Sequence, residues 1–159
     1  HALKDRSVKH PGDLQLMPFA VPHDAREPLQ LSCTDGSAKL GVLTDLGHAT
    51  PHVLTHLQAC NALLLESNHD SELLNQSPYP DFLKRRVGGL HGHLSNTAAA
   101  EIACAVNHLG LKYLVAAHLS LKYNRPERLR HDMYSCCGRP ASVQAICVSV
   151  DVQTGWDCR

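Results

Sequence analysis

The sequence predicts an α/β fold of layered α+β character, and three observations carry that prediction. Apolar runs of strand length alternate with stretches of helical periodicity. Pro, Gly, Asn and Asp bound those runs, and these are the residues that end strands and helices. Apolar residues make up 43% of the 159 positions and aromatics 4%, so one ordinary core must be filled by Leu, Val and Ala.

The elements follow in order. The first residues are polar, with a turn at His10-Pro11-Gly12. Leu14 to Val21 alternates as a strand, and Pro22-His23-Asp24 ends it. Leu29 to Cys33 and Lys39 to Thr44 flank Thr34-Asp35-Gly36 as a hairpin, and the second strand stops at Asp45. Thr50 or His48 caps a helix with Pro51 at its first position, and Val53, Leu54, Leu57 and Cys60 form its apolar face. Ala62 to Leu65 is a short buried strand that delivers Glu66. Asp70 to Asn75 and Tyr79 to Val87 read as short helices, the second broken at Gly88-Gly89. Ser95 or Asn96 opens a helix whose apolar face holds Ala98, Ile102, Ala105, Val106 and Leu109, with Gly110 as its stop. Tyr113 to Ala117 is a buried strand that ends on His118. Pro126 to Cys137 is a charged helix, Val143 to Val150 a strand, and Gly155 to Cys158 a further one. A single domain over residues 1–159 is expected. The chain opens on His1 rather than Met, so upstream sequence is expected too.

Charge points to no partner class, since fifteen basic residues balance fifteen acidic ones. Two basic clusters, Lys84-Arg85-Arg86 and Arg125 to Arg130, read as solvated faces. The apolar runs are too short to span a bilayer, and no secretory signal pattern is present. The seven cysteines form no CxxC pair, which argues against a zinc ribbon. Buried thiols in a reducing, cytoplasmic setting are expected, with the vicinal Cys136-Cys137 inert. The anomaly is twelve histidines, which a metal or acid–base site can use.

Three polar residues share one placement. His23, Asp45 and His118 each follow an apolar strand, and strand ends converge at one sheet edge. Singly, each is an ordinary loop residue. Together, two imidazoles and a carboxylate suit zinc or manganese. His93, just before a helix, is a candidate proton donor, with a packed capping-loop histidine as the equal alternative. Glu66 and His69 are placed to support metal ligands, whereas Asp70 reads as a helix cap. Asn124 and Arg125 lie in a loop that suits a phosphate, although a plain turn is the better account of Arg125. His91-Gly92-His93-Leu94-Ser95-Asn96 has the register of an HxHxDH zinc signature, but Ser95 and Asn96 are poor zinc ligands. It is not that signature, and no other copy occurs.

The motifs together resemble a family. Pro18 to Ala25 is similar to the strand-and-histidine motif of the metallo-β-lactamase fold, and Leu43-Thr44-Asp45-Leu46-Gly47 to its bridging-aspartate motif. Leu64 to Asp70, Tyr79-Pro80, Leu83 to Arg86, Gly92 to Asn96 and Ala117 to Ser120 follow in order. The set is similar to the YycJ-like branch, near ribonuclease Z and the phosphonate-pathway phosphodiesterases, from about Leu14 to about Trp156. The resemblance implies the C-terminal part of a four-layer αβ/βα sandwich. It implies two divalent metals, Zn or Mn. His23 would ligate one and His118 the other, with Asp45 bridging. It implies His93 near the scissile phosphate and a metal-bridging hydroxide as nucleophile. Glu66, His69, Ser95, Asn96, Ser120 and Asn124 would support the ligands or the substrate. Two departures stand out: the family's HxHxDH motif is absent, and Tyr123-Asn124 stands where relatives carry two asparagines.

The expected function is a phosphodiesterase or nuclease acting on nucleic acid or a small phosphodiester. The alternatives are a lactonase or β-lactamase-type hydrolase on the same fold, and a catalytically incompetent fragment or binding remnant.

Overall fold

The computed structural model describes residues 4–5, 7–137 and 144–147. Six strands lie in chain order across one sheet: β1 (Gln15–Ala20), β2 (Leu29–Thr34), β3 (Lys39–Leu43), β4 (Ala62–Glu66), β5 (Tyr113–Ala117) and β6 (Gln144–Cys147). β1, β2 and β3 pair antiparallel. The β2–β3 connection is tight because Asp35 Oδ1 accepts the N–H groups of Ser37 and Ala38, each at 2.8 Å, and Gly36 takes a φ of 90°. Those hydrogen bonds hold the Asp35 carboxyl down at about 2.

From β3 onward the pairing is parallel, which requires crossover segments. α1 (Pro51–Leu57) makes the first crossing. α2 (Ser71–Asn75), α3 (Asp81–Val87) and α4 (Asn96–Ala105) fill the second, and α5 (Pro126–Cys137) the third. Side-chain caps fix where the helices begin. Thr50 Oγ1 accepts from Val53 N at 3.2 Å, Asp70 Oδ1 from Leu73 N at 2.9 Å, and Ser95 Oγ from Ala98 N at 3.2 Å. Thr50 rather than His48, and Ser95 rather than Asn96, therefore start their helices.

The core lies between one sheet face and the helices. Leu43, Leu63, Leu65, Leu114 and Ala116 face Val53 and Leu57 of α1, Ala99, Ile102 and Ala103 of α4, and Leu129 and Met133 of α5. The strand period of two sends the alternate residues to the opposite face. Leu16, Leu31, Leu40, Val42, Leu64 and Val115 lie there, and none of them is fully buried.

Two expectations need correction. α4 ends at Ala105 with Val106 as its cap, not at Leu109, which is fully exposed. The chain turns there because Asn107 N bonds Cys104 O at 3.2 Å and the His108 ring bonds Cys60 O at 2.9 Å. The cysteines are not uniformly buried: Cys60 is, Cys33 is half-buried, and Cys104 is at the surface of α4. The expected strand at Gly155 to Cys158 lies outside the described residues. Among those residues no helix is long and apolar enough to cross a membrane.

Candidate metal centre

The parallel strands β3, β4 and β5 end at one sheet edge, in register through Leu43↔Leu65 and Glu66↔Ala117. Glu66 is the last residue of β4, and Asp45 and His118 stand just past the ends of β3 and β5. Asp45 and His118 adopt φ values of 53° and 55°, the left-handed region that non-glycine residues avoid. Strain past the ends of β3 and β5, the two strands that flank β4, is a feature of functional sites, where the surrounding fold forces an orientation.

His93 arrives from a loop that only glycine permits. A Cβ on Gly92 would sit 2.2 Å from the carbonyl oxygens of both Arg86 and Val87. The same packing brings His93 N to Val87 O at 2.8 Å. Gly47, just past Asp45, is equally confined: a Cβ there would lie 2.3 Å from the Leu90 carbonyl.

Glu66 organises the group. It is fully buried, and its Oε1 accepts from Nδ1 of His93 at 2.7 Å and from Nδ1 of His118 at 2.8 Å. Its Oε2 takes the N–H of Leu46 at 3.1 Å and, more weakly, that of Leu94 at 3.4 Å. Burial alone would raise the Glu66 carboxyl, but hydrogen bonds from His118 and His93 outweigh it, and the net shift is downward. Its hydrogen bond with Glu66 raises the His118 imidazole, against the opposing effect of burial.

Asp45 is different. Its side chain is 47% exposed, and Oδ1 lies 3.5 Å from His118 Nδ1 and 3.8 Å from His93 Nδ1. One ligand-type atom each from Asp45, Glu66, His93 and His118 lies within 4.8 Å of the others. This donor set suits a divalent metal. Within it, Glu66 already accepts four hydrogen bonds. An imidazole that gives Nδ1–H to a carboxylate keeps its Nε2 lone pair for a metal.

His23 stands one ring further out. Its ring centroid is 5.2 Å from that of His93, which is 5.0 Å from that of His118. His23 Nδ1 donates to Gly92 O at 2.9 Å, and Nε2 is 3.5 Å from Asp24 Oδ1. The structure thus joins Asp45 to His118 directly and places His23 beyond His93, outside the group of four.

The remaining expected residues serve the frame. Asn124 is 4% exposed and pairs its amide reciprocally with that of Asn96, at 2.9 and 3.0 Å. It also donates to Ser67 O and Asn68 O at 2.6 and 3.1 Å. The Asn124 amide thus ties three loops together. Arg125 donates to the Asn124 and Lys122 carbonyls, as a turn residue does. Ser95 caps α4, and Ser120 Oγ accepts from Tyr123 N at 3.1 Å inside its own turn. His69 does not hydrogen-bond any of the grouped side chains. It is buried, its Nδ1 has no partner, and burial lowers its imidazole to about 4.

No family model matches the chain. Over 123 residues it is 37% identical to the exodeoxyribonuclease YycJ of Bacillus anthracis, covering 77% of this chain and 47% of that protein. Over 131 residues it is 30% identical to the exodeoxyribonuclease WalJ of Streptococcus pneumoniae, covering 82% of this chain and 48% of that protein. The fold superposes on the metallo-β-lactamase fold protein YhfI of Bacillus subtilis with a TM-score of 0.68 at 16% identity, covering 93% of this chain and 52% of that one. The chain is YycJ-like and carries the metallo-β-lactamase fold. A diphosphatase of the PhnP family superposes as well, with a TM-score of 0.59 at 16% identity, over 91% of this chain and 45% of that one. The YycJ-like chain spans about half the length of the curated relatives it matches.

Proposed function

We propose that this YycJ-like chain serves a metal-dependent phosphodiesterase that cleaves nucleic acid, with DNA as the substrate its relatives' names favour. The observation that carries the reading is the shared Glu66 oxygen, 2.7 Å from His93 and 2.8 Å from His118. One buried carboxylate thereby gives two imidazoles the same tautomer and aims them beside a half-exposed aspartate.

The roles divide accordingly. Asp45 and His118 would hold a divalent metal, Zn or Mn, with His23 reaching toward a second one. A metal bound there supplies Lewis-acid stabilisation and a water of lowered pKa. His93 holds its Nδ1–H against Glu66, and in its protonated form it carries a proton at Nε2 for the leaving oxygen. Glu66 is a positioning residue: it fixes the tautomer and the plane of the imidazole. The strained backbone at Asp45 and His118 keeps both side chains at the sheet edge. We place the protein in the cytoplasm, where substrates of this kind and reduced thiols coexist.

Two further readings share the fold: a lactonase or β-lactamase-type hydrolase, and a binding remnant without turnover. Turnover of bis-p-nitrophenyl phosphate and of nitrocefin, each with added Mn or Zn and after chelation, separates the three. The proposal expects chelator-sensitive hydrolysis of the phosphodiester and none of the lactam. Lactam turnover alone contradicts it in favour of the first alternative, and no turnover of either in favour of the second.

A further inference from the structure

We infer that the exposed face of α3 is a platform for single-stranded nucleic acid, with Phe82 stacking on a base and Arg85 and Arg86 holding adjacent phosphates. The inference rests on the nucleic-acid reading above and adds where the unreacted part of the strand lies.

The helix itself poses the question. None of the residues of α3 is buried, so the core does not explain its side chains. The chain has two phenylalanines; Phe19 is fully buried, and Phe82 is 65% exposed. Phe82, Arg85 and Arg86 stand at i, i+3 and i+4, hence on one helical face. Basic residues in a last turn complement the helix dipole, which accounts for part of the charge. It does not account for an exposed aromatic ring among the cations.

The face leads to the metal centre. Val87, the last residue of α3, takes the His93 N–H at 2.8 Å. Arg86 Nε donates to Asp24 Oδ2 at 2.8 Å, and Asp24 follows His23. That contact fixes the guanidinium beside the site while its side chain stays 49% exposed. The Arg85 side chain is exposed and makes no hydrogen bond or ion pair among the described residues. One helical turn, about 6 Å, separates Phe82 from Arg86 along the axis. An aromatic face and two guanidinium groups in a row match what a single strand offers, bases with π-faces and a regular line of phosphates.

The test is fluorescence anisotropy of a labelled twelve-residue oligothymidylate on the purified protein, in chelator so that nothing is cleaved. Phe82→Ala should weaken binding about 5- to 150-fold, and Phe82→Trp should retain it, because stacking needs a ring and a packing role would not tolerate the larger one. Arg85→Glu should weaken binding and flatten the salt dependence by about 0.7 in the log–log slope for each phosphate no longer neutralised. Circular dichroism verifies that the variants fold. Tight wild-type binding that neither Phe82→Ala nor Arg85→Glu changes overturns the platform and leaves the nuclease reading standing. No wild-type binding overturns both.

Discussion

Two carboxylates stand at neighbouring strand ends, and they are built for opposite tasks. Glu66 ends β4, is fully buried, and accepts four hydrogen bonds. Asp45 follows β3, has a side chain 47% exposed, and faces the same two imidazoles at 3.5 and 3.8 Å. A carboxylate whose lone pairs are all occupied can orient its neighbours but cannot bind a metal well. An exposed one is open to a cation and contributes little to the core. The difference teaches that proximity to histidines does not define a ligand; the spare lone pairs do.

The comparison breaks most sharply at Asp45. Asp45→Ala should reduce phosphodiester hydrolysis at least about 100-fold, beyond the range of a supporting residue. Asp45→Asn, which keeps the tolerance for the left-handed backbone, should change stability by no more than about 0.5 kcal/mol, read from urea unfolding. Glu66→Gln should show the reverse balance. Activity should fall about 10- to 100-fold, the range for a group that orients a ligand. Stability should fall by about 1–3 kcal/mol, since the amide places a donor against an imidazole donor in a buried site. Equal destabilisation by Asp45→Asn and Glu66→Gln would erase the distinction.

His69 extends the comparison to a buried group with no counter-charge in hydrogen-bond contact. Its folded value of about 4 lies below the ordinary 6.5, so the unfolded chain binds the extra proton first as pH falls. Stability should therefore drop as pH goes from about 6.5 to about 4, by about 3 kcal/mol at 1.36 kcal/mol per unit. His69→Leu should flatten urea midpoints across that window. A wild-type midpoint that stays level there contradicts the buried neutral imidazole. The smallest effect concerns a helix start outside the group: Thr50→Ala removes the α1 cap and should cost about 1 kcal/mol in the same unfolding measurement, with hydrolysis unchanged.

Much of this was legible in the residues. Short apolar runs ending in Asp45, Glu66 and His118 mark strands and their polar ends, and all three strands formed in register. The parallel order followed from helices lying between them. The α4 end was not legible, because Val106 and Leu109 continue the apolar period while the turn is set by His108 reaching back to Cys60. Glu66 was readable as a supporting residue but not as the shared centre, since Glu66-Ser67-Asn68-His69-Asp70 is equally a helix-capping run. Its partners His93 and His118 lie 27 and 52 positions away. Asn124 read as a loop residue open to substrate. Its contacts with Ser67 and Asn96 span 57 and 28 positions, and no local pattern encodes them. Backbone strain at Asp45 and His118 leaves no mark in composition at all.

The central claim is that Asp45 and His118 hold a metal that Glu66 only supports. It is tested most directly by metal content after dialysis against Zn or Mn, measured by plasma mass spectrometry on wild-type, Asp45→Ala and Glu66→Gln protein. The account predicts bound metal in the wild type, loss in Asp45→Ala, and weakened but detectable binding in Glu66→Gln. Full metal content in Asp45→Ala, or none in the wild type, would contradict it.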